Sequence, residues 1–449
     1  MDMNLLEQAG RIEPWLGRTF TCVCGKEHSV PIRHISIEAG ALAALPSYAA
    51  ERGYRQLLVV CDRRTEEKAG RELAERCREA GVEAPICLLE DDHNGELAAD
   101  ERAIVQLMLQ LNESVQALVA VGSGTIHDIV RFVAHRAGRA FLSVPTAPSV
   151  DGFASVGAPL VIGGFKQTVA CCAPEAIFAD LALLAQAPRP MIAAGFGDML
   201  GKYTSLADWS LGACLLGEEK CELAALMTFR ALELCISHTG EIARGTEAGL
   251  RRLMEGLLLS GISMLIAGHS RPASGGEHHL SHYWEMKYLQ QGRPALLHGA
   301  KVGAATVTMS RLYAGIAQID AEEAQALVLR RLAEPGRLSV ERMEAEIREA
   351  YGAIAEAVLA ENAESLNPDK HAAQLEQLAA RIAERWDDVR QIARSVPAPE
   401  RLTAMLAEVG GPVTAGELGV PAELQEESAK YALYVRNRYT VMRLMQWLQ

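Results

Sequence analysis

The fold is decided by the stretch Ala117-Leu118-Val119-Ala120-Val121-Gly122-Ser123-Gly124-Thr125-Ile126-His127-Asp128. An unbroken apolar run, typical of a buried parallel strand, passes through two glycines directly into an amphipathic helix predicted over residues 125–137. Glycines let the backbone approach a phosphate closely, and a helix N-terminus offers free N–H groups to a dinucleotide pyrophosphate. The stretch lacks the Gly-x-Gly-x-x-Gly fingerprint, so an ordinary strand-to-helix turn is the alternative interpretation.

The neighbouring sequence repeats this alternation of strand and helix. Further strands are predicted over residues 56–61 and 141–144, a helix over 66–80, and a hairpin around the Gly-Gly pair in 160–170. Beyond residue 185 helical patterns dominate, including the segment 320–449, whose charged faces we interpret as solvated. The sequence therefore predicts an α/β N-terminal Rossmann-like domain over residues 1–184 and an all-α C-terminal domain over 185–449.

The composition excludes several classes of protein. The chain has 449 residues, of which 49% are hydrophobic and 22% charged, with a formal net charge of −13 and a pI near 5.5. So acidic a chain disfavours nucleic-acid binding, and an anionic substrate would need a local positive pocket. No run approaches the roughly 18 apolar residues of a membrane span, and the N-terminus lacks the pattern of a signal peptide. We therefore expect no membrane span and a cytoplasmic protein.

Four histidines within 21 residues, His278, His279, His282 and His298, indicate a divalent-metal site. His278 and His282 are four apart, so they share one face if the segment is helical. The best carboxylate upstream is Asp198, in a Gly-rich segment that we expect to turn tightly and aim the carboxylate into a cleft. Two imidazoles and one carboxylate suit a catalytic metal better than a closed structural site. Solvated or hydrogen-bonded surface histidines are the alternative.

A second cysteine and histidine motif, Cys22-x-Cys24-Gly25-x-x-His28, lies near the N-terminus. Three ligands at tight spacing with no obvious fourth favour a turn between two short strands over a structural zinc site. The ten cysteines of the chain are scattered and do not resemble a secreted disulfide framework, so we expect reduced thiols.

Two further segments follow predicted strands at the edge of the sheet where ligands bind. Residues 143–155 supply hydroxyls, prolines and one carboxylate, Asp151, and Asp62 follows the first strong strand. Loops at the carboxyl ends of strands line the ligand crevice, and a carboxylate after a strand can bind a ribose hydroxyl. A polar turn capped by serine and aspartate is the alternative for the loop.

In order along the chain, these segments resemble the motifs of the sn-glycerol-1-phosphate dehydrogenase family, in particular its bacterial branch. That family lies within the superfamily of dehydroquinate synthase-like and iron-containing alcohol dehydrogenases. The resemblance covers about residues 30–310 and rests on Gly-Ser-Gly-Thr-Ile-His-Asp, Pro-Thr-Ala-Pro-Ser-Val-Asp-Gly, Gly-Asp-x-x-Gly-Lys and Ser-Arg-Pro-Ala-Ser-Gly-Gly-Glu-His. It implies a dehydroquinate synthase-like fold.

The resemblance assigns roles to individual residues. It implies that Asp198, His278 and His298 bind the metal, with Asp198 also close to the substrate. His282 is expected to face the substrate as a catalytic residue, and Asp151 to bind a substrate hydroxyl and assist catalysis. The implied cofactor contacts are Asp62, Gly122, Gly124, Thr125, Ile126, His127, Asp128, Thr146, Ala147, Pro148, Ser149 and Ser155.

The activity that the resemblance implies is reversible, NAD(P)H-dependent reduction of dihydroxyacetone phosphate to sn-glycerol 1-phosphate at one divalent metal ion. Bacterial members look nickel-dependent, which favours Ni²⁺, with Zn²⁺ or Fe²⁺ as alternatives. Arg271 is the candidate phosphate ligand because its planar fork can form two hydrogen bonds, and Lys202 and Lys301 are weaker candidates. Asp62 favours NADH, whereas the two arginines after it favour NADPH, so either cofactor stays open. We expect a homo-oligomer, with a dimer favoured.

Two other enzymes and one non-enzyme are the alternatives. A glycerol dehydrogenase-like polyol oxidoreductase shares the metal and nucleotide sites but needs no phosphate-binding cation. A dehydroquinate synthase-like lyase needs more basic residues around the metal than these motifs supply. A nucleotide sensor that keeps the fold without turnover has little use for an open metal site.

Overall fold

A computed structural model describes residues 3–91, 95–334, 336 and 338–449. Its strands are β1 (Arg18–Thr21), β2 (Glu27–Val30), β3 (His34–Glu38), β4 (Leu57–Cys61), β5 (Ile86–Leu88), β6 (Ala117–Gly122), β7 (Ala140–Pro145), β8 (Gly157–Ile162), β9 (Phe165–Ala170) and β10 (Ala176–Asp180).

The helices follow the same numbering along the chain. In the first half they are α1 (Met3–Glu7), α2 (Leu45–Glu51), α3 (Arg63–Thr65), α4 (Arg71–Glu79), α5 (Glu101–Gln110), α6 (Gly124–Ala137), α7 (Leu181–Leu184), α8 (Arg189–Leu200) and α9 (Lys202–Leu216). They continue with α10 (Glu222–Ile236), α11 (Thr239–Arg244), α12 (Glu247–Ala267), α13 (Gly276–Gln290), α14 (His298–Ile316), α15 (Ala321–Ala333) and α16 (Val340–Tyr351). The last are α17 (Ala355–Glu361), α18 (Pro368–Glu384), α19 (Trp386–Ser395), α20 (Pro399–Glu408), α21 (Ala422–Tyr431) and α22 (Val441–Leu448).

A six-stranded parallel sheet with the order β3-β10-β7-β6-β4-β5 organises the N-terminal part of the chain. Successive residues of its central strands point to opposite faces, so Val59 and Val119 enter one apolar cluster while Val60 and Leu118 enter another. Both faces are therefore buried under helices, as expected for a parallel sheet. The predicted α/β region followed by a helical region is confirmed, and the predicted boundary at 184 falls between α7 and α8.

Several predicted elements begin or end a few residues away from their predicted limits. The helix predicted over 66–80 begins at Arg63 and includes a π-helical segment, Glu66–Gly70, before α4. Its early start has a local cause, because the Asp62 carboxylate accepts a hydrogen bond from the Thr65 amide and caps α3. The predicted hairpin is confirmed as β8 and β9, which pair antiparallel around a Gly-Gly turn.

The C-terminal segment forms the predicted helices, and these helices have buried apolar faces as well as solvated charged ones. Exposed pairs such as Arg342 with Glu346 lie four residues apart on α16, as the charge pattern predicted. The opposite faces bury an apolar cluster that contains Ile347, Trp386 and Trp447. The interpretation of this segment as solvated helix faces is therefore incomplete, because its inner faces pack against α13 and α14.

The glycines before Asp198 do not form the tight turn that we predicted. Gly195 and Gly197 lie inside α8, where their lack of a side chain allows other backbones to approach. A β-carbon at Gly195 would lie 1.8 Å from the Pro148 carbonyl oxygen, and one at Gly197 would lie 2.5 Å from that of Gly299. On the facing helix α14, a β-carbon at Gly299 would lie 1.9 Å from the Ala194 carbonyl oxygen of α8. The contacts of Gly197 and Gly299 bring the start of α14 against the middle of α8, and the contact of Gly195 brings the loop at Pro148 against the same helix.

Among the described residues, no helix combines the length and the apolar character that crossing a bilayer requires.

The crossing of α8 and α14 yields a first prediction. We expect Gly299→Ala to lower the free energy of unfolding by about 1–3 kcal/mol or more, because the new methyl group collides with backbone rather than with a movable side chain. Gly315→Ala is the matched control, since Gly315 is exposed near the end of the same helix, and among the described residues no atom outside the helix backbone lies within 4 Å of the place a β-carbon would take. Denaturant unfolding of both variants measures the difference.

The control should be neutral or stabilising by up to about 1 kcal/mol, because alanine has the higher helix propensity. Equal stability of the two variants would show that the helices do not need the close approach.

Candidate functional site

One cavity of about 630 Å³ lies between the carboxyl ends of the central strands and the helices α8, α12, α13 and α14. Its lining contains twelve of the predicted site residues, which are Asp62, Gly124, Thr125, Ile126, His127, Asp128, Ser149, Asp151, Ser155, His278, His282 and His298. Six others do not belong to the described lining, and these are Gly122, Thr146, Ala147, Pro148, Asp198 and Arg271. Most of the predicted nucleotide residues and both predicted metal-binding histidines therefore line one space.

The nucleotide end of this cavity is formed where β6 meets α6. Ser123 and Gly124 line the cavity, and the Ser123 side chain does not cap α6, so the first amides of the helix stay available to a ligand. Gly122 lies just behind, where a β-carbon would come within 2.4 Å of Cδ1 of Ile126. The Thr146 amide donates to the Gly122 carbonyl oxygen at 2.9 Å, which fixes the predicted loop beside this turn. The arrangement fits a pyrophosphate at a helix N-terminus.

His127 and Asp128 line the cavity, but their polar atoms are engaged within the protein. The two ring nitrogens of His127 lie 2.8 Å from the Ser123 carbonyl oxygen and 2.8 Å from Oγ of Ser143. Burial lowers the pKa of His127 to about 3, so its ring is neutral. Asp128 pairs with Arg131 at 3.0 Å. Both residues therefore shape the nucleotide end rather than offer free charge.

Arg131 is a residue of the site that sequence reasoning missed. Its guanidinium is fully buried and donates to the carbonyl oxygens of Gly152, Phe153 and Gly157. These hydrogen bonds hold the loop that follows Asp151 against α6. The sequence feature that could have indicated it is the spacing of Asp128 and Arg131, which are three residues apart on the buried face of α6 and can therefore form an ion pair.

The metal candidates come from three helices, with Asp198 on α8, His278 on α13 and His298 at the start of α14. One ligand atom of each lies within 4.8 Å of the others. Nδ1 of His278 lies 2.8 Å from Oε1 of Glu277, which leaves Nε2 facing Asp198 Oδ1 at 3.8 Å. Burial lowers the pKa of His298 to about 3, so its nitrogen is free to bind a cation. Two imidazoles and one carboxylate fit a catalytic divalent metal.

Lys202 joins the metal candidates to the substrate loop. Its fully buried ammonium contacts Asp151 Oδ2 at 2.8 Å, Asp198 Oδ1 at 3.0 Å and the Ala273 carbonyl oxygen at 3.1 Å. Burial opposes the charge on Lys202, but the two carboxylates outweigh it and raise the pKa. Burial, together with the nearby charge of Asp198, raises the pKa of Asp151. All three donors of Lys202 are used, so it is an internal clamp and not an available phosphate ligand.

A cluster of two lysines around one carboxylate lies beside His282. Glu285 Oε1 lies 2.7 Å from Nζ of Lys166, which lines the cavity, and Glu285 Oε2 lies 3.0 Å from Nζ of Lys301. Lys301 is fully buried, and burial lowers its pKa to about 8 against the attraction of Glu285. The cluster has two cationic side chains for one carboxylate. Sequence reasoning missed Lys166 because it lies on β9, outside every motif.

Arg271 is paired within the protein and lies beside the cavity. Its Nε donates to Oε2 of Glu218 at 3.0 Å. Another arginine, Arg438, reaches the same loop from the C-terminal segment and donates to Oγ of Ser270 at 3.1 Å and to the Ser274 carbonyl oxygen. No local motif could have indicated Arg438, because it is 168 residues from its partner Ser270.

The geometry of the three metal candidates yields a second prediction. We expect Asp198→Ala, His278→Ala and His298→Ala each to lose about one equivalent of bound divalent metal, because each removes one of three protein ligands. His282→Ala is the matched control, since His282 lies on the same helix as His278, with ring centroids 5.9 Å apart, and outside the group of three. Metal analysis of the purified proteins tests this.

The His282 variant should keep its metal while its turnover falls. Full metal content in the His278 variant, or a loss in the His282 variant alone, would show that the two histidines have exchanged roles.

Known proteins resemble this chain over most of its length. The family described as iron-containing alcohol dehydrogenase matches residues 36–188. A glycerol-1-phosphate dehydrogenase from Geobacillus stearothermophilus is 39% identical to this chain over 94% of each protein. One from Bacillus subtilis strain 168 is 47% identical over 66% of this chain and 75% of its own length.

The fold has solved relatives as well. An iron-containing alcohol dehydrogenase from Corynebacterium glutamicum has a TM-score of 0.58 at 17% identity, and the alignment covers 94% of this chain and 95% of that one. At this identity the likeness concerns the fold, whereas the sequence identity to the Geobacillus protein extends over nearly the whole chain. The chain belongs to the glycerol-1-phosphate dehydrogenase family.

Proposed function

We propose that the protein catalyses the reversible, NAD(P)H-dependent reduction of dihydroxyacetone phosphate to sn-glycerol 1-phosphate at a divalent metal ion. The observation that carries this proposal is the single cavity in which the nucleotide turn at Ser123 and Gly124 meets His278, His282 and His298. The family to which the chain belongs supports the same activity. We favour Ni²⁺, with Zn²⁺ and Fe²⁺ as alternatives, because all three accept nitrogen and oxygen ligands.

The metal ion, the nicotinamide and the residues of the chain would each have a separate role in the reaction. When bound, the metal supplies Lewis-acid polarisation of the substrate carbonyl and the nicotinamide supplies the hydride. Asp198, His278 and His298 would hold the metal. Asp151 lines the cavity and would accept a hydrogen bond from a substrate hydroxyl. The ion pair with Lys202 fixes the orientation of the Asp151 carboxylate.

His282 is the proposed proton donor to the substrate oxygen. It lines the cavity and lies next to the metal candidates, with its ring centroid 5.8 Å from that of His298. Burial lowers the pKa of His282 well below its usual value, so the ring is neutral and one nitrogen carries a proton. A neutral ring would act as a relay: the protonated nitrogen gives its proton to the oxygen as the carbonyl carbon receives the hydride, while the other nitrogen takes a proton from water in the cavity.

Lys166 is the proposed phosphate ligand in preference to Arg271. Lys166 belongs to the cavity lining, and the cluster around Glu285 has one positive charge more than Glu285 neutralises. Arg271 is paired with Glu218 and, unlike Lys166, does not belong to the described lining. An ammonium can bind phosphate as a point charge, which is sufficient where no bidentate contact is available.

Two side chains at the nucleotide end of the cavity bear on the choice between NADH and NADPH. Asp62 lines the nucleotide end, and one carboxylate oxygen caps α3, which holds the carboxylate where a ribose hydroxyl would bind. Arg64 lines the same end and could accompany a 2′-phosphate, so we propose use of both NADH and NADPH. We further propose a dimer that acts in the cytoplasm.

The substrate test separates this function from that of a polyol oxidoreductase. We expect kcat/KM for dihydroxyacetone phosphate to exceed that for dihydroxyacetone by about 10- to 100-fold, because a charge-assisted phosphate contact contributes about 1.5–3 kcal/mol. The reduced product should resist oxidation by an sn-glycerol-3-phosphate dehydrogenase. Faster turnover of the substrate without phosphate, or a product of the opposite configuration, would contradict the proposal.

The phosphate contact is tested by a matched pair of variants. Lys166→Met should raise KM for dihydroxyacetone phosphate by about 10- to 100-fold and leave KM for dihydroxyacetone nearly unchanged. Arg271→Met should have a smaller effect, since Glu218 already neutralises Arg271. The reverse order of the two effects would assign the phosphate to Arg271 and imply that its ion pair opens on binding.

A further inference from the structure

A second group of metal ligands lies away from the cavity. Cys22, Cys24 and His28 belong to the hairpin of β1 and β2, and Cys221 precedes α10. One ligand atom of each residue lies within 4.8 Å of the others, and none of the four lines the cavity. The predicted turn between two short strands is present. The sequence offered no obvious fourth ligand because Cys221, whose sulfur lies beside the other three residues, is 199 residues from Cys22.

The distances among these atoms match the edges of a tetrahedron around one ion. Sγ of Cys22 and Sγ of Cys221 are 3.7 Å apart, and Nε2 of His28 lies 3.7 Å from Sγ of Cys221 and 3.1 Å from Sγ of Cys24. In a tetrahedral zinc site with Zn–S bonds of about 2.3 Å, two sulfurs lie about 3.8 Å apart. A disulfide would need about 2.05 Å, and all ten cysteines are free thiols.

Ordinary packing does not account for all four residues. A thiol-to-imidazole hydrogen bond explains Cys24 and His28, and a buried thiol is a common apolar residue. Neither explains why Sγ of Cys221 lies near the same imidazole nitrogen and Sγ of Cys22 lies near Sγ of Cys221. Three thiolates and one imidazole, with no position left for water, are the ligand set of a structural zinc site.

The local backbone is shaped to present these ligands. The Cys22 amide donates to the Lys26 carbonyl oxygen at 2.8 Å, and Gly25 adopts the left-handed conformation at φ 81° that a side chain would disfavour. Three ligands from a seven-residue segment therefore face one side. Lys26 forms an ion pair with Glu219, and the Trp209 indole donates to the Glu219 carbonyl oxygen at 3.0 Å, which positions the segment before Cys221.

We propose that Cys22, Cys24, His28 and Cys221 bind a structural Zn²⁺ ion that fixes the N-terminal hairpin to the helical part of the chain. The hairpin already packs Phe20 and Val30 into the core that contains α10 and α12, and the metal would add a second link between these segments. The metal would bridge β2 and the start of α10, which packs against α12. The site shares no residue with Asp198, His278 and His298 and acts independently of the reaction.

Cobalt absorption distinguishes this site from the catalytic one. The protein is reduced with a phosphine, stripped of metal and loaded with Co²⁺. Thiolate ligands give a sulfur-to-cobalt charge-transfer absorption, which Asp198, His278 and His298 cannot give because they supply no sulfur. The wild type and the Cys77→Ser control should both show it, since Cys77 is a buried free thiol on α4 outside the group.

Cys24→Ser and Cys221→Ser should lose most of this absorption and about one equivalent of zinc per chain. Cys24 is exposed, so its variant removes a ligand without emptying the core. Chelation should also lower the unfolding temperature of the wild type and of Cys77→Ser more than that of Cys24→Ser. A wild type without the absorption, full absorption in both ligand variants, or iron in place of zinc in the purified protein would overturn the proposal.

Discussion

The cleft of this protein depends on one buried ammonium group. Lys202 lies on α9 and contacts the substrate loop through Asp151, helix α8 through Asp198 and the segment before α13 through the Ala273 carbonyl oxygen. Burying an unpaired charge costs several kcal/mol, so the three segments hold each other at the distances that satisfy this ammonium. Loss of any one contact would leave a charge without its partner in the interior.

The charges around Lys202 also explain why the site suits a divalent cation. Asp151 and Asp198 both contact the Lys202 ammonium, and Glu277 contacts the ring of His278, so this part of the cleft has three carboxylates for one lysine. The imidazole of His298 is neutral because burial lowers its pKa to about 3. A divalent ion among Asp198, His278 and His298 would neutralise the excess negative charge. The excess positive charge lies at Glu285, beside the proposed phosphate position.

The sequence predicted the parts of the molecule that depend on local pattern. Alternating strands and helices, the Gly-rich turn after β6 and the histidine spacing on α13 all follow from residues close together in the chain. What it could not predict depends on contacts between distant segments. Gly197 looked like a turn residue because only its contact with Gly299 at the start of α14 shows why it must be small. Cys221 and Arg438 complete groups whose other members lie far away in sequence.

Anomalous diffraction from crystals of the protein purified without chelators tests the metal assignment most directly. We predict an anomalous peak bounded by the carboxylate of Asp198 and the imidazole nitrogens of His278 and His298, with His282 beyond bonding distance. Its absorption edge would identify the metal and distinguish it from zinc at Cys221. A structure with NAD(P)H bound and no peak among these three residues would contradict a metal-dependent reduction at this site.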